Sequence, residues 1–329
     1  MDQHSTSTDQ SESDLETQKT YQPYFGFQNG TWERVSPESG QHDDDGSDIS
    51  PPKEFSILSW NIDFQREFAE PRMRAALNHV WSLISERKTD SSSIIMFEEM
   101  EVCDLEVIGE QEWVREGYWV TDIGKEFWKS PGYYGTVILV PKSLKIKAVF
   151  RVHYDNTEMQ RDGLFVDIAL PKSRTLRVCA THLESLAARM PKRPAQLSTA
   201  ARYLHQADVG IIAGDFNAIQ EFDRTLHSEN NLKDAYLEMG GVEGDEEGMT
   251  WGHMAFKFQR AQFGLSRMDK ILFRGGVELK GFRTFGMDVE VEGEDEKKEM
   301  MEEFKGQLEQ PWVTDHLGVW GEFRLALDG

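Results

Sequence analysis

Six short apolar runs in this chain each begin or end at polar residues of one small chemical set: Asn61, Glu99, His182, Asp215 with Asn217, Asp269, and Asp315 with His316. Apolar runs of this length, bounded by turn-forming residues, fit strands buried on both faces, as in layered α/β folds. Functional groups collect where loops leave one edge of a sheet. The recurrence therefore implies one site fed by many strands. Its centre is residues 209–217, VGIIAGDFN, where Val209, Ile211, Ile212 and Ala213 read as a buried strand and Gly214 allows a sharp turn before Asp215 and Asn217. A carboxylate and an amide two residues apart at a strand end can share one centre, the acid as metal ligand or base and the amide aimed at a water or phosphate oxygen. Alone, the pattern is more often an Asx turn after any buried strand, and it is the company the segment keeps elsewhere in the chain that overturns this.

The rest of the chain alternates helices with strands. In residues 71–86, Met73, Leu77, Val80, Trp81 and Ile84 recur at helical spacing behind Pro71, which suits a first turn. Residues 104–117 and 194–206 read as further helices, the second leading into the strand at 209–213. Residues 132–140, 164–170, 176–183 and 317–325 read as strands, and short helices are expected in FDRTLH and NLKDAYLEMG.

The formal charge of −22 is unevenly spread. Residues 1–52 carry 11 acids and 2 bases, residues 237–248 carry 5 acids and no base, and residues 286–310 carry 10 acids and 3 bases. The remainder is close to neutral, so composition neither supports nor excludes a polyphosphate ligand. Residues 1–52 lack periodicity and read as a disordered acidic tail closed by Pro51 and Pro52, with Phe25, Phe27 and Trp32 as an aromatic exception. A single catalytic body is expected over residues 53–329, with an acidic insertion near 286–310 that is either a disordered loop or a lid. Cys103 and Cys179 form no disulfide framework and no CxxC pattern, which fits a reducing compartment. The N-terminus MDQHSTSTDQ lacks an apolar signal core, and no run approaches the roughly 18 apolar residues of a membrane span. An intracellular monomer, nuclear or cytoplasmic, neither secreted nor in a membrane, is expected.

Most of these polar residues also have a plain structural reading. Asn61 suits a turn, and His182 in THLES suits a structural hydrogen bond. Glu98 and Glu99 suit a solvated acidic turn, and on an extended backbone only one of the two can face a common site. Asp269 lies among apolar neighbours, where an unpaired carboxylate is costly, so a cationic or hydrogen-bonding partner, a His or Arg foremost, is expected. Carboxylates and amides without a Cys cluster favour a hard divalent cation, Mg²⁺ or Mn²⁺, over structural zinc. Two histidines beside such an ion suit a phosphoryl centre, where positive charge meets developing negative charge.

In this order, SWNID, FEE, THLES, GDFN, RMDKILF and TDHLGV resemble the motifs of the endonuclease/exonuclease/phosphatase family of Mg²⁺-dependent phosphoesterases, over residues 55–326. THLES, the DAY and TW motifs around Tyr236 and Trp251, and RMDKILFR are most similar to the tyrosyl-DNA phosphodiesterase 2 branch. The resemblance implies an α/β four-layer sandwich, two packed mixed sheets flanked by helices. It implies that Glu99 ligates Mg²⁺, with Mn²⁺ as a substitute, and that Asn61 and Asp315 lie close to the ion or its waters. Asp215 would orient and deprotonate the attacking water, and Asn217 would hold a phosphate oxygen. His182 and His316 would stabilise the pentacovalent phosphorus, with Asp269 orienting His316 and Ser185 near the phosphate. Tyr133 and Trp251 match aromatic positions of the substrate channel, although core packing explains each equally well. Water attacks directly, in keeping with the lack of a Ser or Cys nucleophile motif.

The implied function is hydrolysis of the 5′-phosphotyrosyl bond that joins DNA to a trapped topoisomerase peptide, a DNA-repair reaction on single-stranded ends held by stacking and a few cationic contacts. One alternative keeps the chemistry on another ester: an abasic-site end, a nucleotide or a phosphorylated lipid head group. A second is a catalytically inactive binding protein on the same scaffold. Two departures bear on the substrate. Ile219 and Leu186 with Ala187 stand where the branch carries arginines that grip DNA, for which Arg189, Lys192, Arg193 and Arg202 are the available compensation. Glu98 stands where the family carries Gln, and the ubiquitin-binding domain of animal members is not evident in residues 1–52.

Overall fold

Alternation along the central strands decides the architecture. Phe55 and Ile57 enter one apolar cluster while Leu58 and Trp60, one step out of phase, enter another. Val209, Ile211 and Ala213 join the first cluster, and Ile212 a third. Strands buried on both faces need a layer on either side, so two sheets share the first cluster and helices cover their outer faces. The computed structural model describes residues 14–36, 53–86, 92–129, 133–187 and 190–326.

The strands are β1 (Thr20–Tyr21), β2 (Tyr24–Gln28), β3 (Thr31–Val35), β4 (Glu54–Asn61), β5 (Ser92–Met100), β6 (Tyr118–Val120), β7 (Gly135–Pro141) and β8 (Ile146–His153). They continue with β9 (Asp162–Ala169), β10 (Thr175–His182), β11 (Val209–Asp215), β12 (Lys233–Asp234), β13 (Asp269–Gly275), β14 (Val277–Phe285) and β15 (Gly318–Leu325). An eight-stranded sheet runs β14-β15-β4-β5-β7-β6-β2-β3, and a seven-stranded sheet runs β1-β8-β9-β10-β11-β13-β12. Both are mixed. β4 and β5 pair in parallel through the helix Ala69–Ser85, and β10 and β11 do so through the helix Arg193–Leu204. A parallel pair needs such a crossover, and each crossover helix packs on the outer face of its own sheet. This is the expected four-layer sandwich. Among the described residues no helix is long and apolar enough to cross a membrane.

Two expectations are corrected and two strands are added. Residues 14–36 are not part of a disordered tail: β1 pairs with β8 at the edge of one sheet, and β2 and β3 extend the other through β6. Leu15, Tyr24 and Phe25 are buried, so a few apolar side chains anchor an otherwise polar segment. Residues 1–13 and 37–52 lie outside the described residues. The acidic stretch 286–310 is not a disordered loop. It contains the helix Glu294–Glu303, and Val291, Met300, Leu308 and Trp312 form a small core with Met254 and Leu317. Finally, β8 and β14 were not anticipated; β14 is an edge strand whose Glu278, Lys280 and Arg283 mask its pattern.

Candidate active site

Sheet register assembles the centre. Asp215, the last residue of β11, sits opposite His182 on β10 and Asp269 on β13. In the facing sheet Asn61 closes β4 opposite Glu98 on β5. Asn61 then bridges the sheets, its Nδ2 donating to Asp215 Oδ2 at 3.1 Å. Asn217, at φ 47°, turns back on Asp215: its backbone N–H donates to Oδ1 at 2.7 Å and its Nδ2 to Oδ2 at 3.2 Å. Gly214 is required before this turn, since at φ +145° a Cβ would lie 1.8 Å from the Thr181 carbonyl. Burial opposes a charge on Asp215, but His182, His316 and the Asn217 N–H overcome it and hold the carboxyl below the ordinary range.

The two histidines are electrostatic opposites. His316 Nδ1 lies 2.8 Å from Asp269 Oδ2, the partner that burial of Asp269 demands, and the Asp269 N–H donates to Thr250 Oγ1 at 2.9 Å. Burial disfavours an imidazolium, yet Asp269 and Asp315 outweigh it and keep His316 protonated well above the usual range. At His182, Nδ1 lies 2.7 Å from Arg161 Nη1. A guanidinium only donates, so Nδ1 accepts and the ring proton is on Nε2. Burial and the Arg161 charge bring His182 down to about 4, leaving it neutral at pH 7. Its Nε2 stands 3.3 Å from Asp215 Oδ2 and 3.6 Å from Glu99 Oε1 without an aligned hydrogen bond. Positive charge at the centre therefore comes from His316 and Arg161, and His182 contributes a neutral donor.

Acids surround this core. Glu99 is not on extended backbone: β5 bulges between Phe97 and Met100, and Glu99 takes φ 58°. A bulge re-aims a side chain. Glu99 Oε2 accepts from the Phe64 N–H at 3.1 Å, while Glu98 is fully buried and accepts from Ser59 Oγ at 2.8 Å. Burial, reinforced by Asp63, pushes Glu99 up to about 8, and burial pushes Glu98 well above the carboxylate range. Asp315 Oδ2 accepts from Trp251 Nε1 at 2.7 Å, and its Oδ1 is 3.8 Å from His316 Nε2. Behind them Arg72, wholly buried, donates to the carbonyls of Ile62, Asp63, Arg66, Glu67 and Val313 at 2.5–2.9 Å. That arginine ties the loop carrying Asp63 to the segment carrying Asp315.

The residue set fits a cation. Side-chain atoms of Glu99, His182 and Asp215 lie within 4.8 Å of one another, as do those of Asp215, Asp269 and His316, which brings the carboxylates of Glu99 and Asp215, and of Asp215 and Asp269, within reach of a shared ion. Both histidines present N–H toward the centre, so the free donors are carboxylate and amide oxygens. Such a set suits a hard divalent ion rather than zinc.

Asn61, Glu99, His182, Asp215, Asn217, Asp269, Asp315 and His316 converge here. Ser185 joins through Arg161, whose Nη2 donates to its Oγ at 3.0 Å. Trp251 joins through its indole N–H, but its ring is buried and does not line an open channel. Tyr133 does not reach the centre. It is exposed at the mouth of a cleft whose wall includes Arg161 and His182. Its neighbour Tyr134 takes that place, stacked on Phe64 at 3.9 Å with the Arg161 guanidinium 5.2 Å above its ring. Two adjacent tyrosines at the head of a strand left this choice open. Arg161, in the loop before β9, carried no sequence signal.

A sequence model of the endonuclease/exonuclease/phosphatase family matches residues 58–316. No curated protein matches in sequence. Among solved structures, truncated Caenorhabditis elegans TDP2 is similar with a TM-score of 0.60 at 20% identity, over 82% of this chain and 97% of that one. TDP2 of D. rerio, complexed with a single-strand DNA product, gives 0.60 at 17% identity over 82% and 99%. The human Nocturnin catalytic domain with bound sulfate gives 0.57 at 15% identity over 84% and 96%. At such identities the likeness is one of fold.

Proposed function

This chain belongs to the endonuclease/exonuclease/phosphatase family, whose members hydrolyse phosphoester bonds, and we propose that it is a Mg²⁺-dependent phosphodiesterase acting on 5′-phosphotyrosyl DNA ends. The observation that carries the chemistry is Asp215, held as an anion by donors from Asn61 and Asn217 and faced by a protonated His316 and the Nε2–H of His182. Asp215 orients a water and accepts its proton as the new P–O bond forms and the bond to the phenolic oxygen breaks. Asn217, whose Nδ2 donates to Asp215 and to the Leu183 carbonyl, would turn one of these donors to a phosphoryl oxygen; His316 and His182 donate to the oxygens on which charge grows, and Asp269 keeps His316 in place. Glu99, with Asn61 and Asp315 nearby, would hold Mg²⁺, or Mn²⁺ in its stead. When bound, the cation polarises the phosphoryl group as a Lewis acid. The motif resemblance and the fold shared with TDP2, one of whose structures holds a single-strand DNA product, support the choice of substrate.

The test is hydrolysis of a single-stranded oligonucleotide bearing a 5′-phosphotyrosine, with Mg²⁺ or EDTA, and with Asp215→Asn as control. Release of a 5′-phosphate only with Mg²⁺ and only by the parent protein is expected. A second reading moves the same machinery to another phosphoester, since a Bacteroides thetaiotaomicron mannosyl-6-phosphatase has a similar fold with a TM-score of 0.57. Cleavage of such an ester with no release from the phosphotyrosyl oligonucleotide would select it.

A further inference from the structure

A second cavity, of about 200 Å³, shares no residue with the catalytic centre. Its walls come from the stretch after Asn217, the loop carrying Glu243 and the residues around Arg267, and Lys270 reaches it from β13. Side chains alternate along a strand, so Asp269 serves His316 while its neighbour Lys270 turns away to this cavity. Lys270 is 4% exposed, and its amine makes no hydrogen bond among the described residues. The closest carboxylate oxygens, Asp234 Oδ2 and Glu243 Oε2, are each 3.9 Å away. Arg267 already holds both acids, donating from Nη1 to Asp234 at 2.9 Å and from Nη2 to Glu243. A lysine kept only to neutralise these acids would be hydrogen-bonded to them, and a buried donor facing a cavity calls for another partner.

The surroundings make this amine a nucleophile. Desolvation with a guanidinium alongside is what lowers a lysine. At about 8, roughly a tenth of Lys270 is free amine at pH 7, against less than about one part in a thousand for a lysine at 10.5. Asp234 and Glu243 are near enough to pass protons, directly or through one water. Around the cavity Arg224, Arg267 and Lys270 balance Glu221, Asp223 and Glu243, while Gln220 and Ser266 add an amide and a hydroxyl. A lining without net charge suits an uncharged polar guest. We propose that Lys270 captures small, uncharged, hydroxyl-bearing aldehydes in this cavity as a reversible imine. The ammonium gives a proton to Glu243 or to solvent, and the amine nitrogen bonds to the carbonyl carbon. The carbonyl oxygen takes up a proton, and its departure as water leaves the C=N bond, so nothing is oxidised or reduced. Protonated, the imine keeps the positive charge that Asp234 and Glu243 face, which acylation would remove.

The test is labelling of the whole chain at pH 7 with glycolaldehyde and cyanoborohydride, which reduces an imine to a stable secondary amine, with each lysine followed by peptide mass spectrometry. Lys270 should be labelled about tenfold or more faster than the exposed Lys233 and Lys305, in line with its larger share of free amine. With glyoxylate, a carboxylate-bearing aldehyde of similar size, the preference for Lys270 over Lys233 should fall about fivefold or more, since a charge must then enter the cavity. Without cyanoborohydride no adduct should survive dialysis. Lys270→Met should lose the fast adduct and leave labelling of Lys233 unchanged, with thermal melting to show that the variant is folded. Labelling of Lys270 no faster than that of Lys233 in folded protein overturns the proposal, because an amine sealed in a structural ion cluster lags behind exposed ones. An undiminished preference with glyoxylate overturns the uncharged class, and an adduct that survives dialysis unreduced overturns the imine.

Discussion

Arg161 Nη1 lies 2.7 Å from His182 Nδ1, and this contact decides what the imidazole can do. With Nδ1 occupied as acceptor, the ring can only donate from Nε2, next to Asp215 and Glu99. Arg161→Met frees the ring to adopt the other tautomer. A fall in turnover of about tenfold to a hundredfold is expected, in the range seen when a partner orienting a functional histidine is removed. Turnover and the ¹⁵N shifts of His182 should change together; unchanged shifts with lowered turnover would place the effect elsewhere.

Asp215→Asn and His316→Ala should each lower turnover by roughly 10²-fold or more, because one removes the proton acceptor and the other the charged donor. Circular dichroism and thermal melting should show both variants folded. Near-native rates in both would sink the assignment.

Glu99→Gln keeps the bulge and the hydrogen bond from Phe64 but removes the carboxyl group that a bound cation would ionise. The Mg²⁺ concentration for half-maximal activity should rise by about tenfold or more, with activity largely restored at saturation. Metal titrations of the rate check this, and an unchanged requirement would exclude Glu99 as ligand.

Lys270 follows Asp269 on β13 and is buried, 3.9 Å from both Asp234 and Glu243, which Arg267 already engages. Burial, with the Arg267 charge beside it, brings Lys270 down to about 8 from 10.5. Between those values the unfolded chain binds the extra proton, so stability rises with pH across that window, and the cost of burying the charged amine is fully present below about 8. Lys270→Met should therefore be more stable than the parent at pH 7 by up to about 3 kcal/mol, the equivalent of the shift, and the gain should shrink by pH 9.5. Urea midpoints at the two pH values test it; an equal gain at both would mean improved packing instead.

The residues legible in the sequence are those at strand ends. Asp215, His182, Asp269 and His316 follow or precede runs whose burial is written in their apolar pattern, and register brings them together. Arg161 was not legible because it stands in a loop and acts through contacts with His182, Ser185 and Tyr134, all distant in the chain. Arg72 sits in a helix, where an arginine suggests solvent, yet it is fully buried and meets five carbonyls. Glu99 turns on a bulge, and a bulge depends on the partner strand rather than on local residues. The strands of residues 20–35 were hidden because their few apolar side chains are diluted by polar neighbours.

Those N-terminal strands reach both sheets, β1 on β8 in one and β2 on β6 in the other, with Tyr203 of the crossover helix donating to the Leu15 carbonyl. A fragment begun after Pro52 would keep every catalytic residue yet bare one edge in each sheet. Unpaired edges recruit other chains, so such a fragment should self-associate in light scattering, and its loss of activity would report aggregation rather than chemistry.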